Sequence, residues 1–177
     1  MSISVTLSQP VIKTDRFTLR PIVRSDVGQI ELYASDRRVA EATTSIPHPL
    51  PEGVAQCFIE RALHPERTED VWVIDPSHDG SQMLGVIGLE RMDRNQSEIG
   101  YWVAPAAWNS GFASQAVEAI VAANPQACRT LFGSVFQDNH ASARVLTHCG
   151  FDYLGDAENF SVARDANVPT WTYSRKL

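Results

Sequence analysis

Two stretches of this sequence bring together side chains whose types and spacing could do chemistry. The first begins with Glu98-Ile99-Gly100-Tyr101-Trp102-Val103-Ala104-Pro105 and runs on into Trp108-Asn109-Ser110-Gly111-Phe112-Ala113. A β-rich run here passes through a turn and enters a helix by way of small residues. The first N–H groups of a helix have no internal partner and attract anions, and Gly111 with Ala113 would let a diphosphate approach the backbone closely. Gly111 could equally serve the geometry of the turn alone, so the segment by itself leaves both readings open. The second stretch is Asn139-His140-Ala141-Ser142-Ala143-Arg144-Val145-Leu146-Thr147-His148-Cys149-Gly150-Phe151. A strand ends in Gln137-Asp138-Asn139, a short helix follows, and Gly150 can supply a left-handed stop before Phe151 restarts a strand. Asn139 near the N-cap and Ser142 in the first turn can face one cleft, or both can simply cap the helix.

The elements that must position these groups follow from periodicity and punctuation. Ile12, Phe17 and Leu19 predict one strand from Ile12 to Pro21. Ser25 reads as the N-cap of a first helix running to about Ser35, with Asp26 in its first turn. The prolines of Ile46-Pro47-His48-Pro49-Leu50-Pro51 enforce a stiff loop. Val54, Ala55, Phe58, Ile59 and Ala62 then mark the apolar face of a second helix ending before Pro65. Val71 to Ile74, Leu84 to Leu89 and Ile99 to Val103 read as three strands of an antiparallel meander. A helix from about Gly111 to Ala123, a strand Thr130 to Phe136, a helix from about Ala141 to His148 and a strand from Phe151 come next. A final strand, Trp171 to Arg175, is set off by a loop from Arg164 to Pro169.

Composition narrows the function class. The 177 residues are 44% hydrophobic and 20% charged, ordinary globular values, and suffice for one core. The net charge of -6 argues against binding a polyanion through bulk electrostatics, so no direct contact with nucleic acid is expected. Cys57, Cys128 and Cys149 have no paired spacing of the kind metal or redox motifs use, which fits a reducing cytoplasm and no metal. Met1 to Pro10 lacks the basic start and apolar run of an export signal, and no membrane span is visible.

Taken together, the two chemical stretches resemble the acetyl-CoA site of the GNAT superfamily of N-acyltransferases. That family's turn reads Gln or Arg, two residues, Gly, one residue, then Gly or Ala, and Trp108 to Ala113 fits the frame with Trp108 in the Gln or Arg place. Asn109 and Ser110 depart from it as well. Asn139 to Phe151 reproduces the Asn, Ser, Val-Leu and Gly-Phe spacing of the RimJ/RimL-type branch in full. Thr14-Asp15-Arg16-Phe17-Thr18-Leu19-Arg20-Pro21 with Asp26 resembles that branch's opening, and Ile46-Pro47-His48-Pro49 resembles its loop before the second helix. The resemblance implies an α/β (α+β) fold in a single domain over 1–177. Its sheet would be mixed and largely antiparallel, of about seven strands, with helices on both faces and a splay between strands four and five.

It also implies a division of labour. Acetyl-CoA is the acetyl donor, with Tyr101, Trp102 and Val103 lining its pantetheine arm, Trp108 to Ala113 at its diphosphate, and Asn139 and Ser142 across the cleft. The acceptor is a primary amine, on a small molecule or a protein N-terminus, attacking directly within a ternary complex. At pH 7 an amine of pKa about 8 is roughly 10% neutral and one near 10.4 less than about 0.1%, a gap worth about 3.3 kcal/mol. Glu98 is the expected base, and a solvated strand carboxylate is its alternative reading. The tyrosine many of these enzymes use as acid is replaced by Leu146, so Ser142 is the expected donor of a proton to the thiolate, ahead of Tyr173 and Tyr101. His48 and Tyr173 are candidates for the acceptor pocket, whereas His140 and His148 read as surface residues and Cys149 as a buried hydrophobe. A monomer or homodimer is expected. A binding module for acyl-CoA without turnover is the competing reading.

Overall fold

The computed structural model describes residues 9–177; the reading of an absent export signal falls mostly on residues outside that range. Its sheet has eight strands in the order β1-β2-β3-β4-β5-β6-β8-β7. The strands are β1 (Ile12–Lys13), β2 (Thr18–Pro21), β3 (Glu69–Asp75), β4 (Gly85–Met92), β5 (Gln96–Val103), β6 (Thr130–Phe136), β7 (Asp152–Ser161) and β8 (Ala166–Lys176). All neighbours are antiparallel except β5 and β6, which run parallel. The helices are α1 (Val27–Ala34), α2 (Arg37–Ala42), α3 (Val54–Leu63), α4 (Phe112–Ala123) and α5 (His140–His148).

Alternation along the central strands sends apolar side chains to both faces. Trp72, Ile74, Ile87, Leu89, Ile99 and Leu131 pack with Ala116, Val117 and Ile120 of α4 and Leu146 of α5. Val71, Val73 and Val86 of the opposite face pack with Ile30 and Ala34 of α1 and Ala55, Ile59 and Ala62 of α3. A sheet covered on both faces by amphipathic helices is the economical way to bury this many apolar residues from one short chain.

Three sequence expectations are corrected, and one short helix carries no sequence signal. The run from Ile12 to Pro21 is two paired strands, because Thr14 turns the chain: its hydroxyl donates to the Phe17 carbonyl at 2.8 Å and accepts from the Phe17 N–H at 3.1 Å. The additional strand raises seven to eight. Ser25 is not a helix cap. It lies in a single 3-10 turn, Arg24–Asp26, whose entry is closed by Asp26 accepting from the Val23 N–H at 2.8 Å. Helix α2, capped by Asp36 accepting from the Arg38 N–H, has only six residues and so too few for a periodic signal. Most of the loop expected from Arg164 to Pro169 is strand, since β8 starts at Ala166. Pro169, which has no N–H to give, offers its carbonyl to the Gln137 N–H at 3.0 Å.

The feature that makes room for a site is a parting of strands. β5 and β6 are paired only from Gln96 to Glu98 and from Thr130 to Phe132, although β5 continues to Val103 and β6 to Phe136. This is the splay expected between the fourth and fifth strands, displaced by one in number because β1 and β2 are separate.

Candidate active site

A cavity of about 570 Å³ opens in the parting. Glu98, Tyr101 and Trp102 of β5 form one wall, and Ser134 of β6 with Asn139 and Ser142 of α5 form the other. Helix α5 is held at that wall by identifiable devices. Asn139 caps it, its Oδ1 accepting from the Ser142 N–H at 3.2 Å. Its other end closes with the N–H of Phe151 on the Leu146 carbonyl and that of Gly150 on Thr147, Gly150 having φ +79°. That pairing of bonds is the Schellman stop, and it needs a residue without a Cβ penalty in the left-handed region. Gly133 lets α5 approach the sheet, since a Cβ there would lie 2.9 Å from a Leu146 methyl. Asn139 thus both caps the helix and lines the cavity, and the two readings of the sequence turn out compatible.

Ser142 has a partner that sequence spacing did not reveal. The Tyr101 hydroxyl lies 2.9 Å from the Ser142 hydroxyl and 3.3 Å from the Ser142 carbonyl. Burial pushes the Tyr101 phenol well above its ordinary value. A phenol so disfavoured as phenolate stays protonated, and it is hydrogen-bonded to the Ser142 hydroxyl at the cavity wall. Glu98 stands at the closed end of the parting, the last paired residue of β5 against β6, and is half-buried. Burial first, and then the nearby Glu90 carboxylate, raise its pKa. A carboxylate shifted upward towards neutrality is better matched to accepting a proton near pH 7 than an ordinary one.

Beyond the end of β5, outside the residues that line the cavity, the first turn of α4 has no side-chain cap, its N-cap being Gly111 at φ +81°. Asn109, at φ +57°, is a second left-handed residue in the same turn, and Trp108 to Gly111 are exposed. An uncapped, exposed helix start with glycine at its entry fits a bound diphosphate. Trp108 stands where the family pattern has Gln or Arg, and its indole N–H is committed to the Val103 carbonyl at 2.7 Å. A cation from another part of the chain lies beside the turn. Arg16, between β1 and β2, donates to the Ser110 carbonyl at 2.8 Å and to the Gln115 Oε1 at 3.1 Å, its guanidinium 4.1 Å above the Phe112 ring. Phe112 and Ala113 occupy the first turn beneath it.

Other candidates fall outside this arrangement. Tyr173 is buried in the core on the α4 and α5 side, edge-on to Tyr153, and does not line the cavity. His48 lies between Ile46 and Leu50, which do line it, and its Nδ1 is buried without a hydrogen-bond partner. His140 and His148 are exposed. Cys149 is buried, its thiol pushed up to about 11 by burial and then by Glu118. Conversely, Glu69, Glu90, Arg61 and Thr170 line the cavity without having been singled out. Each lies on a strand or helix whose sequence shows only ordinary amphipathic patterning. Arg20 and Asp26, part of the opening motif, form a brace: Arg20 pairs with Asp26 at 2.8 Å and with Asp75 at 3.0 Å. Among the described residues there is no cluster with metal-binding character, and no helix is long and apolar enough to cross a membrane.

Known proteins resemble this chain in sequence or in fold. A Bacillus subtilis (strain 168) protein described as uncharacterized N-acetyltransferase YoaA is 26% identical over 170 residues, covering 93% of this chain and 96% of its own. The microcin C7 self-immunity acetyltransferase MccE, solved with acetyl-CoA and AMP, superposes with a TM-score of 0.82 at 16% identity, over 98% of this chain and 99% of that one. The ribosomal L7/L12 alpha-N-protein acetyltransferase RimL, solved with coenzyme A, gives 0.80 at 18% identity over 95% and 98%. These similarities below a quarter identity speak for the fold. The family profile of the acetyltransferase (GNAT) domain matches residues 16–152, from the Arg16 turn through α5, and the chain therefore belongs to the GNAT family as an acetyl-CoA-dependent acyltransferase.

Proposed function

We propose that this protein is an N-acetyltransferase of the RimJ/RimL type that acetylates a primary amine by direct attack within a ternary complex. The observation that carries the reading is the cavity between the parted strands, with Glu98 on one wall and the Ser142–Tyr101 pair on the other. Acetyl-CoA supplies the acetyl group already activated as a thioester. The α4 N-terminus from Ser110 to Ala113 would hold its diphosphate, and the free edge of β5 from Tyr101 to Val103 its pantetheine arm. Glu98 takes the proton that the amine must lose, directly or through one water. Ser142, hydrogen-bonded to the Tyr101 phenol, donates to the departing sulfur, whose thiol pKa near 8.5 makes that help useful without being obligatory.

The acceptor belongs among small amines or protein N-termini, the latter favoured by the structural likeness to the L7/L12 N-terminal acetyltransferase. Of the three free cysteines two are buried, which suits a reducing compartment, and we place the protein in the cytoplasm. The test is release of free thiol from acetyl-CoA across a panel of amines and N-terminal peptides. Ser142→Ala should slow turnover about 10- to 100-fold with little change in CoA affinity, and Tyr101→Phe should slow it less. An unaltered rate in Ser142→Ala would remove Ser142 from the mechanism.

A further inference from the structure

We propose that Arg164, in the turn between β7 and β8, is a positioning residue for the acceptor amine: its guanidinium clamps two segments of the cavity wall to each other. This rests on the acetyl-transfer reading above. One of the segments runs from Ala42 to Ile46, and it lines the cavity together with Phe136, Asn139 and Ser142. It follows the end of α2 and joins no strand, and Thr43 bonds only backwards, its N–H and hydroxyl both donating to the Ala40 carbonyl. Among the described residues its long-range hydrogen bonds go to the β7–β8 turn. The Val162 N–H donates to the Thr44 carbonyl at 3.0 Å, and Arg164 donates to the Glu41 carbonyl through Nε at 3.1 Å and Nη2 at 2.8 Å. Glu41 lies in the last turn of α2, where carbonyls have no helical partner and a cation suits the helix dipole.

The same guanidinium holds the second segment. Nη1 donates to one Asp138 oxygen at 2.6 Å and Nη2 to the other at 3.2 Å, the two-pronged geometry that only a planar fork supplies. Asp138 directly precedes Asn139, which lines the cavity, caps α5 and accepts from the Ser142 N–H. The guanidinium also lies 4.9 Å from the centre of the Phe136 ring, itself buried and part of the lining. Arg164 does not line the cavity, so it acts through the segments it holds.

An exposed ion pair alone contributes little, and the Asp138 side chain is 60% exposed. What sets this one apart is that one side chain bonds a helix end on one segment and the residue beside a helix cap on the other. Loosening it would leave the groups proposed for the chemistry in place, since Glu98 and Tyr101 are held by pairing with β4 and Ser142 by the Asn139 cap. The Ala42 to Ile46 segment would then have to be ordered by the acceptor itself, a cost that appears in its KM.

The test uses the intact protein with Arg164→Gln, Arg164→Lys and Asp138→Ala, the last removing only an exposed carboxylate and so sparing the fold. Thiol release from acetyl-CoA is measured with glycinamide and with trialanine, beside calorimetry of CoA and hydrogen exchange at Thr43 and Val162. Arg164→Gln and Asp138→Ala should raise the acceptor KM about tenfold and about threefold, with kcat and the CoA dissociation constant within about twofold of wild type. Exchange at Thr43 and Val162 should quicken at least about fivefold in Arg164→Gln. Lysine keeps the charge without the fork and should recover less than half of the KM loss. An unmoved KM in Arg164→Gln, even with a lowered melting temperature, would make Arg164 a brace for the hairpin alone and overturn the inference, as would full recovery by lysine or unaltered exchange. If thiol is released and KM does not move, acetyl transfer stands and the clamp falls. If neither probe releases thiol in the wild type while exchange quickens as expected, the coupling of the two segments stands and the transfer reading falls.

Discussion

Replacing Glu98 with glutamine keeps the side chain's shape and removes its ability to take a proton, and the expected loss depends on the amine. For an acceptor of pKa about 8, roughly a tenth is already neutral at pH 7, so the base can gain no more than about tenfold by raising that fraction. For an acceptor near 10.4 the neutral fraction is about 250 times smaller still, and the loss in kcat/KM should reach the 10²–10⁴ range typical of a missing general base. The sign with pH follows from the raised pKa of Glu98, caused by burial and then Glu90. Protonated Glu98 cannot accept, so wild-type activity should fall as pH drops through a value above the ordinary carboxylate range near 4.3. In Glu98→Gln that limb should vanish, leaving a rate that climbs about tenfold per pH unit towards the amine pKa. Unfolding will not mimic this result. A carboxylate whose folded pKa is raised loses stability as pH rises between its unfolded and folded values, so the glutamine variant should be at least as stable at pH 7. The assay is thiol release from acetyl-CoA against pH for a low- and a high-pKa amine. A variant that keeps more than about half the wild-type rate on the high-pKa amine, with an unchanged profile, would refute the role of Glu98.

Two further outcomes test the donor side and the scaffold. Arg16→Gln should raise the dissociation constant for CoA about tenfold, measured by calorimetry, while leaving the KM for acetyl-pantetheine, which lacks the diphosphate, nearly unchanged; a loss shared equally by both donors would make Arg16 a brace for Ser110 instead. Asp26→Asn breaks a buried pair whose side chains are 12% and 3% exposed, at a cost of about 3 kcal/mol; the melting temperature should fall by about 6–12 °C with CoA binding by the folded protein retained, and a fall of under about 2 °C would mean that Asp75 alone satisfies Arg20.

How far the sequence could be read depended on the range over which each feature is encoded. Strand β6 and helices α4 and α5 lie within a residue of their expected ends because caps and stops adjoin them: Gly111 before α4, Asn139 before α5 and Gly150 after it. The turn at Thr14 and the 3-10 turn at Arg24 depend on the side-chain hydrogen bonds of one residue each, Thr14 with Phe17 and Asp26 with Val23, that periodicity does not report. The β7–β8 hairpin ran longer than expected because Arg164, just past Ser161, is tied down from afar. It donates to the Glu41 carbonyl at 2.8 Å and pairs with Asp138 at 2.6 Å, anchoring a turn that local propensity leaves open.

The same distinction separates the two halves of the site. The half proposed to hold the donor is local: Trp108 to Ala113 and Asn139 to Phe151 are each contiguous, so their spacing in sequence is nearly their spacing in space. Even there the sequence concealed two partnerships, Tyr101 with Ser142 across 41 positions and Arg16 with Ser110 across 94. The alignment of the carboxylates beside β5 is encoded by register. Glu69, Glu90 and Glu98 look like three ordinary strand-end acids until the pairing of β3, β4 and β5 aligns them, and a slip of one residue would send any of them to the opposite face. What fixes the register is apolar: Val71, Val73 and Val86 must face α1 and α3 while Trp72, Ile74 and Ile87 face α4 and α5. The core therefore selects which face receives the carboxylates. That alignment follows from packing that, read residue by residue, carries no chemistry of its own.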